Sequence, residues 1–201
     1  MEAPDLVERD RMVAAVAAAS VLTLEGKRIR LRELWDDGVV VTTFLRQFGC
    51  LFCHRAIAEL VAIVPDVLAR GGRLVFVGNG SIEQAKRFYA EKKLPREGCT
   101  VVTDPERESF RAAELKRGFA KTFLNGGSLS AYKDARGEGH RITGLFGDLT
   151  QLGGTMVTRP PARLVMLHRS QFAGDHAPAK EILDAVTPLA DAPAPSSRRL
   201  A

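Results

Sequence analysis

Residues Val39–Leu45 (VVVTTFL) run without a break into Arg46–Arg55 (RQFGCLFCHR), and the architecture of the chain follows from that junction. Seven successive residues that are β-branched or large and apolar cannot form a strand with one wet face. They predict a central strand covered on both sides. Downstream of it Cys50, Cys53, Ile57, Leu60, Val61, Val64 and Leu68 recur at steps of three and four, the spacing of a buried helical stripe. Pro65 is expected to bend this helix without ending it. A buried strand therefore hands over to a helix whose first turn carries C-x-x-C.

Working outward, Leu74–Val77 (LVFV) predicts a second buried strand, followed by Gly78-Asn79-Gly80 and a helix carrying Ile82, Ala85, Phe88 and Tyr89. This is a βαβ unit with parallel strands. Cys99–Thr103 (CTVVT) is a third strand, and Asp104-Pro105-Glu106 offers an N-cap, a first-turn proline and an acid for the next helix. Residues 155–158 and 163–168 flank Arg159-Pro160-Pro161 as an antiparallel hairpin, and residues 179–189 read as a closing helix. Upstream, residues 21–34 alternate around Glu25-Gly26-Lys27 as another hairpin. The apolar run at residues 12–19 follows Glu2, Asp5, Glu8 and Asp10, acids that a secretory leader excludes, so it reads as an amphipathic helix.

The expected organisation is an α/β fold with a central mixed sheet flanked by helices. Residues 1–20 form an N-terminal helix and residues 21–190 one domain that begins with the β-hairpin. Residues 118–154 are a glycine-rich insertion, and residues 191–201 (DAPAPSSRRLA) a disordered tail with little to bury. At 201 residues one core is expected. No apolar run reaches the roughly 20 residues of a membrane helix. The 29 basic and 24 acidic residues are interleaved, which argues against nucleic acid as a partner. With no export signal, a cytoplasmic protein is the expectation.

Three cysteines cannot build a disulfide scaffold, so Cys50 and Cys53 are read for chemistry and Cys99 as a core residue. A thiol at a helix N-terminus faces unpaired N–H groups and the positive end of the helix dipole, both of which favour thiolate. Arg46, His54 and Arg55 add positive charge, with no acid between Arg46 and Glu59. Thiols three apart on one turn are within disulfide reach, so one can attack and the other resolve. Three other readings of the pair are weaker. Zinc lacks a second ligand pair, because Cys99 stands alone and His140, His168 and His176 show no ligand spacing. Cys-Leu-Phe-Cys-His also matches a c-type haem attachment, but it follows a buried strand in a chain without an export signal. The pair could also be plain core cysteines. No metal and no bound cofactor are expected.

The order of elements resembles the thioredoxin fold, and the chain is more narrowly similar to the peroxiredoxin-like 2 family of AhpC/TSA-type proteins. The similarity rests on Phe44–Cys53 (FLRQFGCLFC), the Gly26 hairpin, Thr103-Asp104-Pro105, Gln151–Gly154 (QLGG), His168-Arg169 and Gly174-Asp175-His176. It implies a thiol-dependent reductase acting on a peroxide, an endoperoxide or a disulfide, restored by an external thiol or a thioredoxin-type reductant. A non-catalytic redox sensor or binding domain on the same fold is the alternative. Two registers compete for the nucleophile: a thioredoxin register assigns it to Cys50, and a peroxiredoxin register to Cys53. The resemblance further places Thr43, Phe48, Gly153 and Gly154 as candidate pocket residues. Gly153 stands where ordinary peroxiredoxins carry an arginine, and Arg46 is a candidate to supply that charge.

Overall fold

The computed structural model describes residues 6–35, 38–49, 51–117, 148 and 150–187, with side chains at 51–55 excepted. Helix α1 (Leu6–Ala18) leads into β1 (Ser20–Leu22) and β2 (Arg28–Arg30), and a 3-10 turn at Leu31–Leu34 follows. The predicted hairpin is thus shorter than its alternation suggested, because Leu31 turns fully into the core and the chain coils behind it. Then come β3 (Val39–Phe44), α2 (Leu51–Ala62), α3 (Val64–Ala69), β4 (Gly72–Gly78), α4 (Ile82–Glu91), β5 (Cys99–Thr103) and α5 (Glu108–Ala112). The chain closes with β6 (Gly154–Arg159), β7 (Arg163–Arg169) and α6 (Ala179–Val186). The expected tail at 191–201 and most of the glycine-rich insertion lie outside the described residues.

The seven strands form one mixed sheet in the order β2-β1-β5-β4-β3-β6-β7. Strands β3, β4 and β5 are parallel, and β6 runs antiparallel beside β3 with Phe44 opposite Gly154. Every residue of β3 is buried, as its continuous apolar run requires. The strand's period of two divides its side chains between two cores. Val39 and Val41 join Leu74, Phe76, Cys99 and Val101 beneath α2, α3, α4 and α6. Val40 and Phe44 join Val75, Val77 and Val102 against α1, the 3-10 turn and α5. The indole of Trp35 donates to Thr42 Oγ1 at 3.1 Å, which satisfies a hydroxyl in the middle of the sheet.

Two local expectations are corrected. Pro65 does more than bend the helix after β3: α2 stops at Ala62 and α3 begins at Val64 with the proline in its first turn. A proline there lacks the N–H that would have continued the α2 ladder, and its ring fits a helix start at no cost. Asp104 does not open a helix at once either. Residues 104–107 form a turn closed by Arg107 N–H donating to the Asp104 carbonyl at 3.0 Å, with Arg107 left-handed at φ 58°. Asp104 still caps α5 from a distance, its Oδ2 accepting from the Ser109 backbone N–H at 2.8 Å and hydroxyl at 2.6 Å.

Candidate active site

The site assembles at the carboxyl end of β3, where open α/β sheets place their ligand crevices. Leu45 extends the parallel ladder by one bond, its N–H reaching the Val77 carbonyl at 2.8 Å. The chain then turns through residues 46–49, and α2 starts at Leu51, immediately after Cys50. Cys50 lies outside the described residues. Cys53 lies in the first turn of α2, as the spacing predicted, and the helix carries no acid in that turn. His54 and Arg55 share the same helical segment, their side chains outside the description.

A half-open pocket of about 50 Å³ lies against α2, which lines it with Ala56 of the second turn. Thr43–Arg46 form one wall, Ala56 of α2 another, Leu152–Thr155 the floor and residues 170–176 the far rim, without Gln171. Three of the four residues nominated from sequence, Thr43, Gly153 and Gly154, line it. Arg46 lines it too, although the residue is only 7% exposed. The absence of a side chain at Gly153 is enforced by geometry, since a Cβ there would sit 2.3 Å from the Phe44 carbonyl oxygen. No arginine could stand at that position without moving β3.

Phe48 is placed elsewhere. Its ring is 2% exposed and stacks at 5.1 Å on Phe88, over the backbone of Gly78, where any Cβ would come within 2.1 Å of Phe48 Cζ. It anchors the turn from below and does not line the pocket.

Sequence reasoning missed the far rim. Asp175 ties residues 168–175 into a compact loop: its Oδ1 meets His168 Nε2 at 3.1 Å, its Oδ2 accepts from the Gln171 N–H at 2.7 Å, and its carbonyl accepts from the Ser170 hydroxyl at 2.6 Å. His176 Nε2 lies 2.9 Å from Glu59 Oε2, so this loop is joined to α2 across 117 residues of sequence. Gly174-Asp175-His176 was legible as part of a resemblance, yet nothing local disclosed that it faces the cysteine helix.

Cys99 sits on β5 inside the core, and burial pushes its thiol up to about 11. At neutral pH burial thus favours its protonated thiol. Among the described residues no group of three or more His, Cys, Asp or Glu side chains could hold a metal ion, and no helix is long and apolar enough to cross a membrane.

Residues 59–171 match the family model described as AhpC/TSA antioxidant enzyme, more than half of the chain. The chain belongs to the AhpC/TSA family. Peroxiredoxin-like 2C of Mus musculus is 30% identical over 190 residues, covering 87% of this chain and 80% of its own. Thioredoxin-like protein AAED1, chloroplastic, of Arabidopsis thaliana is 31% identical over 173 residues, covering 82% and 68%. A prostamide/prostaglandin F synthase of Salmo salar is 28% identical over 168 residues, 82% of each. The crystal structure of peroxidoxin BcpB from Mycobacterium tuberculosis superposes with a TM-score of 0.60 over 84% of this chain and 90% of that one, at 15% identity. The fold is therefore that of the thioredoxin-fold peroxiredoxins, as the resemblance implied. AhpC/TSA membership carries peroxiredoxin-like thiol redox chemistry, and the matched span begins six residues after Cys53.

Proposed function

We propose that this AhpC/TSA protein is a thiol-dependent reductase in which Cys50 and Cys53 work as a pair. One thiolate attacks an oxygen of a hydroperoxide. The O–O bond breaks, the alcohol leaves with a proton, and the sulfur becomes a sulfenic acid. The second thiol displaces water from it, and the resulting disulfide is the dithiol oxidised by two electrons, which have passed to the peroxide. Two external thiols, or a thioredoxin-type dithiol, return the pair to its reduced state. An endoperoxide or a protein disulfide would enter by the same attack on an O–O or S–S bond. No prosthetic group takes part.

The observation supporting this reading is the pocket. It lies beside α2, the helix that starts at the residue after Cys50, and its wall includes the cation Arg46. Arg46, with His54 and Arg55 on the helix, would favour a thiolate and the developing alkoxide. A cytoplasmic or other reducing compartment suits the chemistry, and one relative is named chloroplastic. The test adds hydrogen peroxide, an organic hydroperoxide and a protein disulfide separately to reduced protein and to Cys50→Ser and Cys53→Ser variants. Turnover of at least one substrate, abolished in the variants, with a Cys50–Cys53 disulfide and free Cys99 on peptide mapping, is the expected result. A Cys99 bridge would sink the pairing. The side-chain-free Gly153 supports a second reading, a slow redox sensor that a partner protein reads. Oxidation of the pair without turnover of any substrate would select it.

A further inference from the structure

The loop between β4 and α4 holds the 46–49 turn that leads into α2. Asn79 is 4% exposed, and its Nδ2 donates to the Arg46 carbonyl at 3.0 Å, a buried bond between residues 33 apart. Its neighbours grip the same turn. Phe48 brings the tip of its ring against Gly78, and a Cβ at Gly80 would stand 3.0 Å from Phe48 Cδ2. On its other side the loop is fixed by β5: Thr103 Oγ1 donates to the Gly80 carbonyl at 2.5 Å, and the Asp104 N–H to the Gly78 carbonyl at 2.7 Å. Ser81 caps α4 in a reciprocal box with Gln84, which locks the loop's exit. Asn79 is thus a donor on a rigid mount, and its acceptor is the carbonyl at the start of the turn leading to Cys50 and α2. Its Oδ1 has no hydrogen-bond partner among the described residues. A core that used this position only for packing would carry an apolar side chain instead.

We infer that Asn79 is a positioning residue for the reactive thiol: by fixing the Arg46 carbonyl it holds the 46–49 turn that sets where α2 begins, and with it the first helical turn that carries Cys53. The inference rests on the dithiol reading above. If the turn relaxes, the start of α2 shifts, the support that helix N–H groups give an ionised thiol weakens, and reactivity falls where ionisation is limiting.

The experiment follows iodoacetamide alkylation of the reduced protein as a function of pH in wild type, Asn79→Leu and the core control Ile182→Val, each with a thermal melt. Asn79→Leu keeps the volume and removes the donor. Its fast alkylation is expected to slow about tenfold near pH 6 and little near pH 9, the signature of a midpoint raised by about one unit. Ile182→Val lowers stability and leaves the midpoint in place. Should Asn79→Leu fail to fold, Asn79→Ser, whose hydroxyl is too short to reach the Arg46 carbonyl, takes its place with the same expectation. A folded Asn79 variant with an unshifted midpoint, beside a wild type that shows the fast phase, overturns the positioning role alone. A wild type that alkylates like a model thiol overturns the activated dithiol, and this inference with it.

Discussion

Gly153 and Cys99 show how one residue's surroundings decide its chemistry. A methyl group at 153 would meet a backbone oxygen, which cannot swing aside as a side chain can. Gly153→Ala should therefore cost about 1–3 kcal/mol in chemical denaturation, as overpacking of a close contact does, and under the proposed reductase function should lower turnover by displacing the pocket floor. An alanine variant as stable and active as wild type would show that the floor yields freely. Cys99 is the opposite case, a chemical group silenced by its environment. With its thiol raised from 9.0 to about 11 by burial, it stays protonated while the unfolded chain's cysteine ionises near 9. The sign follows: its contribution to stability is full below pH 9 and is lost as pH rises toward 11. At pH 8 iodoacetamide should label Cys99 only after denaturation, and mass mapping of native and unfolded protein checks this. Sequence had marked Cys99 as core correctly, since a cysteine on the same strand as Val101 and Val102 has one sensible place to go. It misplaced Phe48, because a phenylalanine before a C-x-x-C looks the same whether it faces a pocket or props the turn from beneath.

At the scale of elements, the sequence was most legible where period and burial agreed. The unbroken β-branched and apolar run of β3, the buried run of β4, the strand at β5 and the three-and-four stripe that opens α2 were each read as the element that forms. It was least legible where a contact between distant residues overrode a local signal, as when Asp104 reached past a turn to cap α5 at Ser109. The neck of the glycine-rich insertion is another such contact. Arg117 pairs with Gln151 in an isolated bridge, and the Asp148 carboxylate takes Arg107 Nη1 at 2.8 Å and Arg117 Nη2 at 2.6 Å. Burial alone would raise the Asp148 carboxyl. Donors from the Thr150 hydroxyl and backbone and the Arg117 guanidinium outweigh it and hold the group below its ordinary 3.8. A depressed carboxyl contributes stability above the unfolded value and loses it as pH falls through the folded one. The melting temperature of Asp148→Asn should thus lie below that of wild type at neutral pH, and the gap should close progressively below pH 3.8. A gap independent of pH from 2.5 to 7 would assign the clasp to hydrogen bonding alone.

On the scale of the whole molecule, the pocket belongs to no single element. Its walls come from the end of β3, the second turn of α2, the start of β6 and the loop after β7, so it exists only when both ends of the chain's order have met across the sheet. This is why sequence supplied Thr43 and Arg46 from the strand-to-helix junction and, through the resemblance, Gly153 and Gly154, but not the rim: the approach of residues 170–176 to α2 is set by the antiparallel return of β6 and β7. The Glu59–His176 contact joins the rim to the cysteine helix, and a prediction separates its structural weight from its functional weight. Both side chains are partly solvated, at 38% and 27% exposed, so the pair adds at most about 1 kcal/mol to folding. His176→Ala should shift the denaturation midpoint only slightly. The same substitution frees the rim to drift from α2, and the pocket widens on the side where an organic substituent would rest. With the reductase reading, KM for an organic hydroperoxide should rise several-fold, up to about tenfold for a loss near 1.4 kcal/mol, with kcat little changed. Hydrogen peroxide has no substituent to reach the rim, so its KM should stay within about twofold, an energy well under 1 kcal/mol. Steady-state kinetics with both substrates on wild type and His176→Ala decides the matter. Equal losses with the two peroxides would mean that the rim acts through the position of α2 and not through the substrate.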